Sequence, residues 1–527
     1  MSRFRRAAYN AASGYAALIA GSIYSLATLP LALHYLEKEQ FGLERFGLWT
    51  LMSSIAGYLS LIDLGMSNSV ARLLIDHKDD RETDAYATMI RTGWLVLTVQ
   101  ALIILAAGFA IAPALSGILR IPQHLDREFV LLVRWQAVIL AFSFFARIFS
   151  HLLYAHQRVD VINYGQMLML VVNFLAMWLF FAKFRQGVFS LVWAGALGTL
   201  VTTLLIIIVC LWLRLIPGRI FSCRASWPQF VTLFAYGKDV FLIAVGGQLI
   251  LASQSMVITN RLGLGAAAIW YAGTRVLNLL NLAIWRVCDS TGPGLSEMIA
   301  RGEQTLLRDR FKTIVVLTAS ISGFAAVSYA LCNSTFVWVW TSFSKQSAVA
   351  WPAHNDLLLG LWAIVSAILH CHNSLVTLTK EIHFMRYVFF IEGLVFVTAA
   401  WFSAAFGGLP AVILCSLVCS ILFSGAYGLW RVVHYFHLPL REVALEWQRP
   451  MFKVIAVYAP LAFVAWWLGE KFDPYVRLAI GGVVSALIGT YILLRFGVPK
   501  EFQRELLQRA PRQVNPLLRR VFVGVTP

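Results

Sequence analysis

Charge is what this sequence has least of. Asp, Glu, Lys and Arg together make up 13% of its 527 residues, about half the share of a soluble protein. No polar stretch is long enough to hold a soluble catalytic domain. The longest connections between apolar runs are 65–92, 214–237, 289–312 and 434–451. No glycine-rich, phosphate-cradling loop precedes a soluble helix, which argues against ATP hydrolysis in this chain. The seven cysteines (Cys210, Cys223, Cys288, Cys332, Cys371, Cys415 and Cys419) have no metal-ligand spacing. Most lie inside apolar runs, where a thiol behaves as a small hydrophobe. The apolar runs are continuous and about 20 residues long, not alternating segments of ten, which excludes a membrane β-barrel. The first run, from Gly14, is too long for a signal-peptide core and lacks a cleavage site, so it reads as a retained first helix.

Apolar residues fill the space that charge leaves. They make up 59% of the chain, and the mean hydropathy is +0.73. The sequence predicts an all-α polytopic membrane protein with about fourteen transmembrane helices. The expected spans are 14–36, 46–64, 93–115, 128–154, 161–183, 187–213, 238–260, 265–288, 313–341, 356–378, 384–406, 410–433, 452–470 and 475–495. An even count puts both termini on one side. Of the 43 basic residues, 29 fall on that side, 10 on the other, and four (Arg134, Arg147, Arg275 and Arg286) inside spans. This bias predicts cytoplasmic termini. Because the net charge of +17 is scattered through short loops, it reads as topology and not as a nucleic-acid surface.

The chain is organised around the stretch Phe46 to Asp80. It begins as an apolar helix, passes through Asp63-Leu64-Gly65, and leaves the membrane as a charged segment ending in His77, Lys78, Asp79 and Asp80. A second copy runs from Ala268 to Lys312, through Asp289-Ser290 and Gly292-Pro293-Gly294. With six spans per copy, the expectation is a parallel pseudo-repeat. The N-lobe is 1–213, a cytoplasmic linker 214–237, the C-lobe 238–434, two extra spans 435–495, and a basic tail 496–527. The tail either lies on anionic lipid, with Leu506, Leu507, Leu517, Leu518 and Phe522 buried, or is simply solvated.

Polar groups inside spans are costly and point to a cavity or a partner. On span 8, about 3.6 residues per turn places Tyr271, Asn278, Arg286 and Asp289 within about 60° of Arg275. This stripe either lines a water-filled cavity that binds an anionic group or forms a structural ion pair. Gln248, Ser255 and Thr259 make a weaker stripe on span 7, and Ser366, His370, Asn373 and Thr377 another on span 10; both read equally as helix-packing contacts. His370 and His372 are either titrating or packing histidines. Arg134 is the deeper arginine of span 4, while Arg147 could snorkel. Glu392 is the carboxylate well inside a span, where it either pairs with an arginine or carries a coupling proton. Glu37, Glu39 and Glu44 fall in an external loop too short for a glycan-transfer site.

The residues Phe46-Gly47-Leu48-Trp49, Tyr58 to Gly65 and Asn68 to Arg72, echoed by Pro293 to Glu297 and Ala300 to Glu303, resemble the Wzx-type polysaccharide flippases. That family belongs to the superfamily that also holds MATE exporters and the lipid II flippase MurJ. The resemblance implies a V-shaped transporter of the MOP fold working by alternating access, and not an enzyme. Its substrate would be an undecaprenyl-diphosphate-linked oligosaccharide moved across the bacterial inner membrane. Arg275, Arg134, Arg286, Asn278, Tyr271 and Gln248 would bind the headgroup, since guanidinium suits phosphate. Asp63, Asp289, Glu392 and His370 would gate or couple. No cofactor or metal is expected beyond a proton or sodium gradient. The expected partners are membrane lipids and other polysaccharide-assembly proteins, with no nucleic acid, and the protein is expected to be monomeric. The rival readings are a MATE-like cation-coupled exporter and a membrane glycosyl- or acyltransferase. The MATE pattern wants a carboxylate in span 1, which has none, and Asp239 stands only at the entry of span 7.

Overall fold

Continuous apolar runs punctuated by proline, glycine and charge fold as helices, and the computed structural model has helices and connecting turns but no strand among its described residues: 3–36, 41–76, 83–221, 223–342, 349–379, 382, 384–509 and 522. In chain order the helices are α1 Arg3–Leu36, α2 Gly42–Ser60, α3 Met66–Asp76, α4 Asp84–Ile118, α5 Gln123–Ala155, α6 Val159–Leu179, α7 Phe189–Trp212, α8 Trp227–Leu262, α9 Leu264–Asp289, α10 Gly292–Arg301, α11 Gln304–Thr341, α12 Ala353–Leu378, α13 Met385–Ser420, α14 Ala426–Phe436, α15 Arg449–Gly469, α16 Pro474–Val483, α17 Thr490–Ile492 and α18 Lys500–Arg509. Glu37, Glu39, His77 to Asp80 and the tail residues Arg512, Leu517, Leu518, Arg519 and Arg520 lie outside the described residues.

Among the described residues, eleven helices are long and apolar enough to cross a membrane. One of these, Met385–Phe436, is 52 residues long and covers two expected spans. It breaks at Gly408, whose φ of 61° and ψ of −147° are non-helical, two residues before Pro410. A left-handed φ is open to glycine, and proline cannot continue the preceding helix. Expected spans 2 and 8 coincide with α2 and α9, which are helical but fall outside the eleven. Both carry polar groups along their length, Glu44 and Arg45 in α2 and Arg275, Asn278 and Asn281 in α9, which lower their mean hydropathy.

The chain divides into two compact units, Met1–Ala268 and Ile269–Pro527. The division falls after the basic stretch 214–237, because α8 packs against α2, α3 and α4 of the first unit. Each unit contains the same succession: a helix (α2 or α9), a turn, a short amphipathic helix (α3 or α10), and a long helix (α4 or α11) paired antiparallel with the next. The amphipathic helices are held by their apolar faces. Val70 and Leu74 of α3 pack on Tyr86, Ile90, Ile148 and Leu152. Leu295 of α10 packs with Phe311, Cys371 and Leu375. In the second unit α15 and α16 lie on α11, through Leu331, Tyr458 and Ala462. Large apolar side chains such as Trp212, Phe406 and Leu487 remain exposed on helix surfaces. A soluble protein rarely tolerates so much exposed apolar surface, whereas lipid solvates it.

Candidate functional site

In the second unit, α9 carries the polar stripe read from the sequence. The Arg275 guanidinium lies over the Tyr271 ring, 5.0 Å from its centroid, a cation–π geometry. Its Nε is buried and makes no hydrogen bond. Asn278 and Arg286 are exposed one and three turns further on. At the end of the helix Asp289 accepts from His370 Nε2 of α12 at 2.8 Å. The His370 ring is stacked on Trp285 at 4.8 Å. Five of the expected residues (Tyr271, Arg275, Asn278, Arg286 and Asp289) thus share one helix, and a sixth, His370, closes its end.

The backbone of α9 is gripped beside Arg275. Tyr329 Oη of α11 donates to the Gly273 carbonyl at 2.7 Å, and Asn333 Nδ2 donates to the same oxygen at 3.0 Å. Asn333 Nδ2 also reaches Asp356 Oδ1 at 2.8 Å, which accepts from Trp351 Nε1 at 2.6 Å. Asp356 is 0% exposed. Sequence reasoning passed over this residue. It follows Trp351-Pro352 at the start of α12, where an acid reads as an ordinary helix-start residue, and only tertiary structure turns it inward.

In the first unit the node is Asp63. Its Oδ1 accepts from Ser67 N at 3.2 Å, capping the first turn of α3, and also from the Ser67 hydroxyl. Arg147 Nη1 of α5 donates to Ser67 Oγ at 3.1 Å and lies 3.8 Å from Asp63. The Arg147 guanidinium sits over Phe144, 3.8 Å from the ring centroid. Gln100 Nε2 binds the Asp63 carbonyl at 2.8 Å. Arg147 also lines a cavity of about 190 Å³ with Ser143, Ser150, Thr199, Thr202 and Thr203. Arg147 therefore has partners within the protein and is not merely a snorkelling end residue. Arg134 and Gln248 belong to this unit too. Arg134 lies 5.5 Å from the Phe109 ring centroid, with a buried Nε that lacks a partner. Gln248 of α8 stands against Gly57 of α2, its Oε1 2.7 Å from where a Cβ at Gly57 would lie.

Glu392 of α13 is 1% exposed, and its Oε2 accepts from the backbone N–H of Ser424 at 3.1 Å. Ser424 lies in Ile421–Gly425, a single π-helical turn between α13 and α14. Such a turn displaces the regular hydrogen-bond ladder, and Glu392 satisfies one of the amides concerned. His372 is 2% exposed, and neither ring nitrogen has a hydrogen-bond partner. Of the acids in the loop before α2 and its first turn, Glu44 meets His124 Nε2 at 3.3 Å, and the neighbouring Arg45 forms a bidentate pair with Glu128 at 2.6 and 3.1 Å.

Two units with a repeated helix order, built on helices long and apolar enough to cross a membrane, define a polytopic helical membrane protein. The solved structures agree on the fold. The lipid II flippase MurJ, in an inward closed conformation, is 15% identical with a TM-score of 0.66, over 92% of this chain and 98% of that one. An inward-facing multidrug resistance MATE family transporter of the MOP superfamily is 13% identical with a TM-score of 0.63, over 79% and 94%. The family model described as polysaccharide biosynthesis protein matches residues 41–348, and the chain belongs to that family. The uncharacterized membrane protein EpsK of Bacillus subtilis (strain 168) is 22% identical over 370 residues, 63% of this chain and 71% of that protein. The protein is a multi-pass helical membrane protein of the polysaccharide biosynthesis family, with the fold that the MurJ and MATE structures share.

Proposed function

We propose that this protein moves an oligosaccharide linked to undecaprenyl diphosphate across the bacterial inner membrane by alternating access, for the assembly of a surface polysaccharide. The observation that carries this reading is Arg275. It is a half-buried guanidinium on a membrane helix, stacked on Tyr271 and with Nε unspent, suited to a diphosphate headgroup. Within the same unit Arg286 and Asn278 would complete recognition of the headgroup, and Arg134 and Gln248 of the first unit are separate candidates for contact with the substrate. Asp63 and Asp289 would act at the cytoplasmic gate with His370. A proton or sodium gradient would drive the cycle, and Glu392 is the carboxylate available for coupling. A groove of about 640 Å³ between α11, α12 and α15, lined by Ala326, Leu331, Leu357, Ile364, Ile455 and Phe463, offers apolar surface for a polyprenyl chain. The family membership and the fold shared with a lipid II flippase support the substrate class. The basic-residue bias supports cytoplasmic termini. We take the working protein as a monomer among membrane lipids and other polysaccharide-assembly proteins.

Complementation in a strain lacking its own flippase tests this, with membrane expression checked. Arg275→Ala is expected to abolish surface glycan and accumulate the lipid-linked intermediate, and Arg275→Lys to restore it in part. A silent Arg275→Ala together with an inactive Glu392→Gln would replace the reading with a cation-coupled exporter.

A further inference from the structure

A carbonyl in the middle of an α-helix already accepts one backbone N–H. The Gly273 carbonyl of α9 takes two side-chain donors besides, Tyr329 Oη at 2.7 Å and Asn333 Nδ2 at 3.0 Å. Asn333 is itself fixed by Asp356 Oδ1 at 2.8 Å, which holds Trp351 Nε1 at 2.6 Å. The circuit closes on the helix where it began. The Trp351 ring lies flat against Gly273, so close that a Cβ there would come within 2.3 Å of it. All five residues are buried, and no ion pair involving Asp356 exists among the described residues. An isolated buried carboxylate is expensive. Its Oδ1 accepts from two donors, one from α11 and one from the segment before α12, while Oδ2 is buried without a hydrogen-bond partner. Asparagine could accept the same two bonds, whereas an apolar side chain could accept neither.

The geometry points to a clamp: we infer that Asp356, with Asn333, Tyr329 and Trp351, fixes the axial position of α9 at Gly273 and so places Tyr271 and Arg275, each two residues away, for the anionic headgroup. These four are positioning residues. A bare glycine is required because the tryptophan face occupies the space of a side chain. The inference rests on the reading of Tyr271 and Arg275 as the headgroup site.

The test uses the full-length protein in nanodiscs, with inorganic pyrophosphate as the probe and hydrogen exchange as the second readout. Asp356→Leu is expected to speed amide exchange in 270–280 at least tenfold without altering α4 to α7, and to weaken pyrophosphate binding about fivefold. Asp356→Asn, which keeps both acceptor contacts, is expected to restore both. Arg275→Ala should lose the pyrophosphate, and adding Asp356→Leu to it should cost nothing further, as expected for coupled residues. Unchanged exchange in α9 for Asp356→Leu, or equal damage from Asp356→Asn, would overturn the clamp. Should Asp356→Leu fail to accumulate, Trp351→Phe, which removes one donor and keeps the ring, is expected to show the same change in exchange, and its absence would be equally decisive. Pyrophosphate that fails to bind the wild type would refute the anionic reading of Arg275, while exchange confined to α9 would still support the clamp.

Discussion

Replacing Asp63 by alanine should loosen the first turn of α3 while the helix stays docked on the bundle. The carboxylate makes three contacts: the Ser67 amide at 3.2 Å, the Ser67 hydroxyl, and Arg147 at 3.8 Å. Loss of a helix cap costs about 1 kcal/mol, and loss of a side-chain hydrogen bond about another 1 kcal/mol. The ion pair adds at most about 1 kcal/mol, because both partners are partly solvated and Arg147 keeps its bond to Ser67. The sum is about 2–3 kcal/mol, which corresponds to a 30- to 150-fold rise in local opening. The apolar face of α3, with Val70 and Leu74 fully buried, opposes this change and keeps the helix docked. Hydrogen exchange over 66–76 in the purified protein measures the opening. Asp63→Asn keeps an oxygen for the cap and loses only the charge, so its exchange should rise less than about fivefold. If Asn behaves like Ala, the negative charge and not the cap holds the turn, and the argument fails.

Glu392→Gln should be nearly neutral for stability, because the amide oxygen still accepts from Ser424 N; Glu392→Leu orphans that amide and should cost about 1–3 kcal/mol, seen as a lower melting temperature. Gly108→Leu should prevent accumulation in membranes, since even a Cβ would come within 2.2 Å of Ala137 Cβ and the α4–α5 pair has no room to part. Asp289→Asn should change stability by less than about 1 kcal/mol, because its contact with His370 is half-exposed; a larger loss in thermal unfolding would contradict this. Cys223 should react with a water-soluble maleimide well before the buried Cys210, Cys288 and Cys371, as mass spectrometry of the labelled protein would show.

The helical class and the repeat were legible because they depend on local composition. Twenty apolar residues in succession must hydrogen-bond their own backbone in lipid, wherever they pack. The stretch from Phe46 to Asp80 and its echo after Asp289 announced α3 and α10 by the same change from apolar run to charged amphipathic segment. The polar stripe of α9 was legible too, because Tyr271, Arg275 and Asp289 share a face through helix periodicity alone. The partners of these residues were not legible. Asp289 meets His370 from 81 residues away, and Arg147 meets Ser67 from 80 away, distances over which a sequence carries no register. Glu392 read as a coupling or ion-pairing group, yet its partner is a backbone amide exposed by a π-helical turn, a local irregularity with no residue signature.

By itself, then, the sequence determined that this chain crosses the membrane many times as helices, in two related halves, with guanidinium groups inside the apolar layer. Periodicity and the cost of unpaired backbone in lipid suffice for that. Only the tertiary structure decided what holds those groups in place. The clamp on Gly273 joins α9, α11 and α12 through a carbonyl, an amide, a carboxylate and an indole. Each is ordinary in its own segment and becomes a network only when three helices bring it within hydrogen-bond distance.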